Sequence, residues 1–128
     1  MNAKICGVKN SVTLKYIIDH NHPPKFIGFI TNYKKSKRYI EFDILKKLIN
    51  VDKKKINFVS VLVNPDEDIL EKIKNLNFDF YQLYDVSPEK TKLIKKKYKK
   101  KIISAVTIEN KTDVEKYMKY ALISDIIL

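Results

Sequence analysis

The sequence predicts an α/β protein built on a parallel sheet. Short β-type runs alternate with segments of helical spacing. Several of those runs are apolar at successive positions, as in "VSVLV" and "FIGFI", which suits strands covered on both faces. The alternation repeats about every 25 residues, giving five strand–helix units and a sixth strand, an order that implies right-handed crossovers. Two architectures satisfy this pattern: an open doubly wound sheet and part of a (β/α)8 barrel. A dinucleotide-binding open sheet carries a glycine-rich first turn, whereas this first turn reads CGVKNS, with a single Gly.

Taken in order, the expected strands are Ala3–Cys6, Phe26–Thr31, Asn57–Val63, Phe78–Leu83, Lys101–Val106 and Ser124–Leu128. Between the first two, Ser11 is expected to cap a helix over Val12–His20, with Leu14, Ile17 and Ile18 on one face. Glu41–Asn50 carries Phe42, Leu45, Leu48 and Ile49 at helical spacing. Asn64-Pro65 stops one element and opens another over Asp66–Asn75, with Ile69, Leu70 and Ile73. Pro88 suits the first position of a helix holding Leu93 and Ile94. The last helix, Thr112–Leu122, carries Val114, Tyr117, Met118 and Ala121 as its apolar set. No Pro/Gly-rich linker interrupts the series, so residues 1–128 are expected to form one domain.

Composition narrows the class. No run approaches the roughly 18 uncharged apolar residues of a membrane span, and no secretory leader pattern opens the sequence. One cysteine cannot form an internal disulfide or a cysteine-based metal site by itself, which fits a reducing, cytoplasmic setting. The formal charge of +11 raises a second reading, a lysine-rich α/β domain that binds nucleic acid. Of the 26 basic residues, however, 25 are Lys and one, Arg38, is Arg. Surfaces that grip phosphates or read bases lean on the planar fork of Arg, so nucleic acid is not the expected partner. The block Lys95–Lys101 is where such binding would concentrate. His20 and His22, at a helix end beside Pro23-Pro24, read as surface residues and receive no ligand role.

Several motifs resemble the phosphoribosylanthranilate isomerase family. They are Lys4-Ile5-Cys6-Gly7 in the first strand and Phe26-Ile27-Gly28-Phe29 in the second. Ser36-Lys37-Arg38-Tyr39-Ile40 follows in the loop after it, and Val61-Leu62-Val63-Asn64 ends the third strand. Tyr81-Gln82-Leu83 and Ser87-Pro88-Glu89 correspond to the fourth strand and the start of its helix. The resemblance implies a (β/α)8 TIM-barrel type fold, present here as a partial barrel of five βα units and a sixth strand, with strands 7 and 8 lacking. It implies an Amadori rearrangement of phosphoribosylanthranilate in tryptophan biosynthesis, with no metal and no organic cofactor. A barrel relative with different sugar-phosphate chemistry is the third reading.

By the same resemblance Cys6 is the general base and Arg38 holds the anthranilate carboxylate. The residue chemistry agrees. Catalytic groups of such barrels sit at the carboxyl ends of strands. A thiolate is the reactive form of cysteine and neighbouring cations favour it; Lys4, on the same strand face, and Lys9, in the following loop, are the candidates. A guanidinium can take both oxygens of a carboxylate in parallel. The plain alternatives are a small buried hydrophobe for Cys6 and a solvated loop cation for Arg38. The family's fourth strand commonly ends Q-L-H-G, but here it reads Gln82-Leu83-Tyr84-Asp85, so no role passes to Tyr84 or Asp85. The family's general acid is expected just after Leu128; Asp125 lies at the start of its strand and is not assigned. On this reading the 128-residue chain is incomplete and inactive or impaired, has an exposed apolar interior, and self-associates through exposed sheet edges.

Overall fold

The computed structural model describes residues 2–128. Its elements alternate throughout: β1 (Lys4–Cys6), α1 (Ser11–Asp19), β2 (Phe26–Ile30), α2 (Phe42–Leu48), β3 (Asn57–Val63), α3 (Glu67–Ile73), β4 (Phe80–Tyr84), α4 (Pro88–Tyr98), β5 (Lys101–Ser104), α5 (Asp113–Ala121) and β6 (Ile126–Ile127). All six strands pair in parallel in the order β1-β2-β3-β4-β5-β6. A doubly wound sheet reverses direction at a switch point. This one never does, so right-handed crossovers place every helix on the same side, which leaves a half-barrel.

The curvature is visible in the side chains. Phe26 of β2 and Phe80 of β4 lie two strands apart, about 9.6 Å in a flat sheet. Their rings nevertheless meet edge to face with centroids 5.4 Å apart on the concave side. Around them Ile30, Val59, Val61 and Ile103 are buried, with Cys6, Tyr39 and Ile126 packed alongside. The expected exposed apolar interior is therefore not found at these positions, because the curl of the sheet closes the side chains on one another. The larger core lies between sheet and helices. There Ile27, Phe29, Phe58, Leu62, Tyr81 and Ile102 meet Leu14, Ile18, Leu45, Leu48, Leu70, Ile73 and Ile94.

Two local expectations are corrected. The cap of α1 is Asn10, whose side chain accepts from the Thr13 N–H at 2.8 Å; Ser11 is the first helical residue. On α5 the apolar set points away from the core: Val114, Tyr117 and Met118 are exposed, as is Leu122 beyond it. The inward side of α5 is held by polar groups instead. Asp113 is buried and accepts from the N–H groups of Glu109 and Asn110, while the Tyr120 hydroxyl donates to the Val86 carbonyl. The strand beneath this helix is only two residues long, too little to draw a wide apolar face inward.

Candidate functional site

The carboxyl rim of the sheet is built by short, hydrogen-bonded connections. After β1, Gly7 donates to the Gly28 carbonyl at 2.8 Å and turns the chain out of the sheet with φ of +85°. After β2, the Asn32 side chain pairs with Val63 in both directions, donating to its carbonyl and accepting from its N–H at 2.9 Å each. The loop then turns through Tyr33–Ser36 and comes back beside β2, where Ile40 donates to the Ile30 carbonyl. At the apex of that return, the Arg38 N–H donates to Ser36 Oγ. Lys9 braces the loop from β1's side by donating to the Lys37 carbonyl at 3.0 Å. Its ammonium therefore serves the arginine loop, where the sequence reading put it near the thiol.

Cys6 and Arg38 are brought together. Arg38 Nη1 donates to the Cys6 carbonyl at 3.0 Å, and both residues line a cavity of about 460 Å³ with Ile30, Tyr33, Ser36, Val61, Val63, Tyr84 and Asp85. Both glycines of the chain pack against this pair, Gly7 against Arg38 and Gly28 against Cys6. A Cβ on Gly7 would stand 2.4 Å from Arg38 Cδ, so a side chain there would collide with the arginine stem. A Cβ on Gly28 would stand 3.1 Å from Cys6 Sγ and 3.1 Å from Lys4 Nζ. The absent side chain thus makes room for the thiol and the Lys4 ammonium on one shelf.

The cavity also holds groups that sequence reasoning left without a role. Tyr84 ends β4 and accepts a hydrogen bond on its hydroxyl from Gln82 Nε2 at 2.9 Å. Asp85 follows it with φ of +54°, at the position where the family pattern carries Gly. Asp is one of the few residue types that tolerates that backbone region. The departure from Q-L-H-G was itself the available signal, since it fell at a strand's carboxyl end. Asp125 stays at the start of β6, where it accepts from the Ile102 N–H and pairs with Lys95 at 2.9 Å. Those bonds hold its carboxyl below the ordinary value against the opposing effect of burial. His20 and His22 lie exposed at the end of α1. Among the described residues, no three His, Cys, Asp or Glu side chains are grouped as metal ligands.

A curved all-parallel sheet, with Cys6 and the Arg38 loop at its carboxyl rim, defines the class: a half-barrel of the (β/α)8 type. Residues 3–128 match the family model described as N-(5'phosphoribosyl)anthranilate (PRA) isomerase, and the chain belongs to that family. It is similar to the N-(5'-phosphoribosyl)anthranilate isomerase of Agrobacterium fabrum, with 34% identity over 124 residues, 95% of this chain and 55% of the relative. The corresponding protein of Zymomonas mobilis subsp. pomaceae is 28% identical, over 100% of this chain and 60% of its own. Among solved structures, phosphoribosyl anthranilate isomerase from Thermotoga maritima superposes with a TM-score of 0.79 at 26% identity, over 94% of this chain and 57% of that one. A phosphoribosyl anthranilate isomerase in complex with reduced 1-(O-carboxyphenylamino)-1-deoxyribulose 5-phosphate gives 0.80 at 26%, over 94% and 60%. The chain therefore spans little more than half the length of these relatives.

Proposed function

We propose that these residues supply the thiol base and the carboxylate clamp of a phosphoribosylanthranilate isomerase acting in tryptophan biosynthesis. The observation that carries this reading is the cavity shared by Cys6 and Arg38, with the guanidinium tied to the cysteine's own carbonyl. Arg38 holds the anthranilate carboxylate with the donors left free by that bond. Once the ribose ring opens to a protonated imine, the Cys6 thiolate removes the proton from C2. The C–H electron pair becomes the C1–C2 double bond, and the imine π pair moves to nitrogen. The Cys6 thiol then returns that proton to C1 as the enol hydroxyl releases its own, leaving a ketone at C2; the released proton offsets the one taken up when the ring opened, so atoms and charge balance. None of the residues assigned here donates the proton that opens the ring.

A thiol in this role needs a reducing compartment, which supports a cytoplasmic setting. The unit 1–128 is taken as one domain, with small-molecule substrate as its partner and self-association through its open strand edges. The test is isomerisation followed by anthranilate fluorescence, in a protein spanning the full length of these relatives and in its Cys6→Ser variant. Loss of at least about 100-fold, with ligand binding retained, supports the base; an unchanged rate sinks it.

A further inference from the structure

Tyr84 stands where two depressions meet. Its side chain lines the Cys6–Arg38 cavity on one side. On the other it lines a smaller hollow of about 230 Å³, with Ala105, Val106, Thr107 and Leu128. Its hydroxyl is held from below by Gln82, a residue only 1% exposed on the same concave face of β4. A phenol that accepts from an amide keeps its own O–H free to donate, and the bond it accepts polarises that O–H. Among the described residues the Oε1 atom of Gln82 is buried without a partner, and the amide's hydrogen bond goes to orienting this phenol.

We propose that Tyr84 is a specificity-determining residue, its Gln82-oriented hydroxyl donating a hydrogen bond to an oxygen of the ligand's sugar chain. This rests on the isomerase reading above. With the anthranilate carboxylate on Arg38, the phosphate end of the substrate must lie away from that residue. Tyr84 ends β4, two strands from the loop that carries Arg38, and so faces the part of the ligand beyond the carboxylate. Tyrosine also reaches further than the histidine that the family pattern carries here, so the contact belongs to this chain's own departure from the pattern.

Two probes separate the parts of the ligand. Anthranilate presents the ring and carboxylate alone, whereas reduced 1-(o-carboxyphenylamino)-1-deoxyribulose 5-phosphate adds the sugar chain and phosphate. Calorimetric titration of the wild-type chain, Tyr84→Phe and Gln82→Leu is the experiment, with circular dichroism melts as the check on folding. Tyr84→Phe is expected to weaken the sugar-bearing probe about five- to tenfold and leave anthranilate within about twofold. Gln82→Leu is expected to shift the same probe selectively, by less, because the phenol remains but loses its orientation. Equal affinities for Tyr84→Phe and wild type, or equal losses for both probes, overturn the inference while leaving the site intact. Failure of the wild-type chain to bind either probe overturns the assignment of Cys6 and Arg38 to substrate binding, and the inference with it.

Discussion

At Gly7 a backbone demand and a packing demand fall on one residue. Its φ of +85° disfavours any L side chain, and the space a Cβ would fill is taken by the Arg38 stem on its way to the Cys6 carbonyl. Gly7→Ala is expected to cost on the order of 1–2 kcal/mol of stability from the backbone alone. By pushing Arg38 aside it should also weaken anthranilate binding several-fold; urea unfolding and titration measure the two effects, and wild-type binding by the variant would refute the second. Arg38→Lys asks a different question. An ammonium offers a point charge but cannot hold the carbonyl and a carboxylate through one planar fork. An anthranilate affinity about tenfold weaker, with the melting temperature little changed, is the expected result. Cys6 and Arg38 were legible because each is the sole residue of its kind in the chain and sits in a family motif. Tyr84 and Asp85 were not, because their place in the cavity depends on how far β4 runs, and the strand ends one residue later than its apolar pattern indicates.

Helix starts show what local chemistry can and cannot reveal. Ser87 before Pro88 caps α4 by accepting from the Lys90 N–H, as the proline position implied. For α1 the sequence reading chose Ser11, whereas the cap is its neighbour Asn10, whose φ of −138° is extended. Asn10→Ala should therefore lower stability by about 1 kcal/mol, while Ser11→Ala leaves it nearly unchanged; denaturant midpoints distinguish the two. The seam between α3 and α4 carries a pH dependence. Glu71 accepts from Lys74 and Tyr98 and pairs with Lys97, and these bonds lower its carboxyl from an ordinary 4.5 to about 2. A carboxylate depressed on folding stabilises the fold above its unfolded value and loses that contribution as pH falls towards the folded one. Melting temperatures measured from pH 5 down to about pH 2 should fall with a component that Glu71→Gln removes; identical profiles would rule out this pairing as its source. Helical spacing located α5 correctly but said nothing of which way it faces, since that depends on how much strand lies beneath it.

Across the whole molecule, the parallel sheet was legible because β2 and β3 are apolar on both faces, the mark of strands enclosed between layers. Periodicity alone left open sheet and barrel undecided, since strand order is encoded in no single segment; the family motifs decided for the partial barrel, which the strand order bears out. Exposed apolar side chains lie beside both edge strands, as well as singly on the outer faces at Ile44 and Leu93. Ile5, Val12 and Tyr16 lie exposed beside β1, and Val114, Met118, Leu122 and Leu128 beside β6. Sedimentation across a wide concentration range should show mass above the monomer, and Val12→Lys with Leu122→Lys should suppress it; a constant monomer mass would remove self-association from the proposal. Three lysines of the Lys95–Lys101 block are tied into the scaffold. Lys95 pairs with Asp125, Lys97 with Glu67 and Glu71, and Lys100 donates to the Phe78 carbonyl.

The uninterrupted strand order has a further consequence for how the molecule comes into being. Every strand from β2 to β6 finds a hydrogen-bonding neighbour in the strand synthesised just before it. A nascent chain leaving the ribosome at about 5–20 residues per second would thus add one strand to an existing edge every few seconds, with no wait for a distant partner.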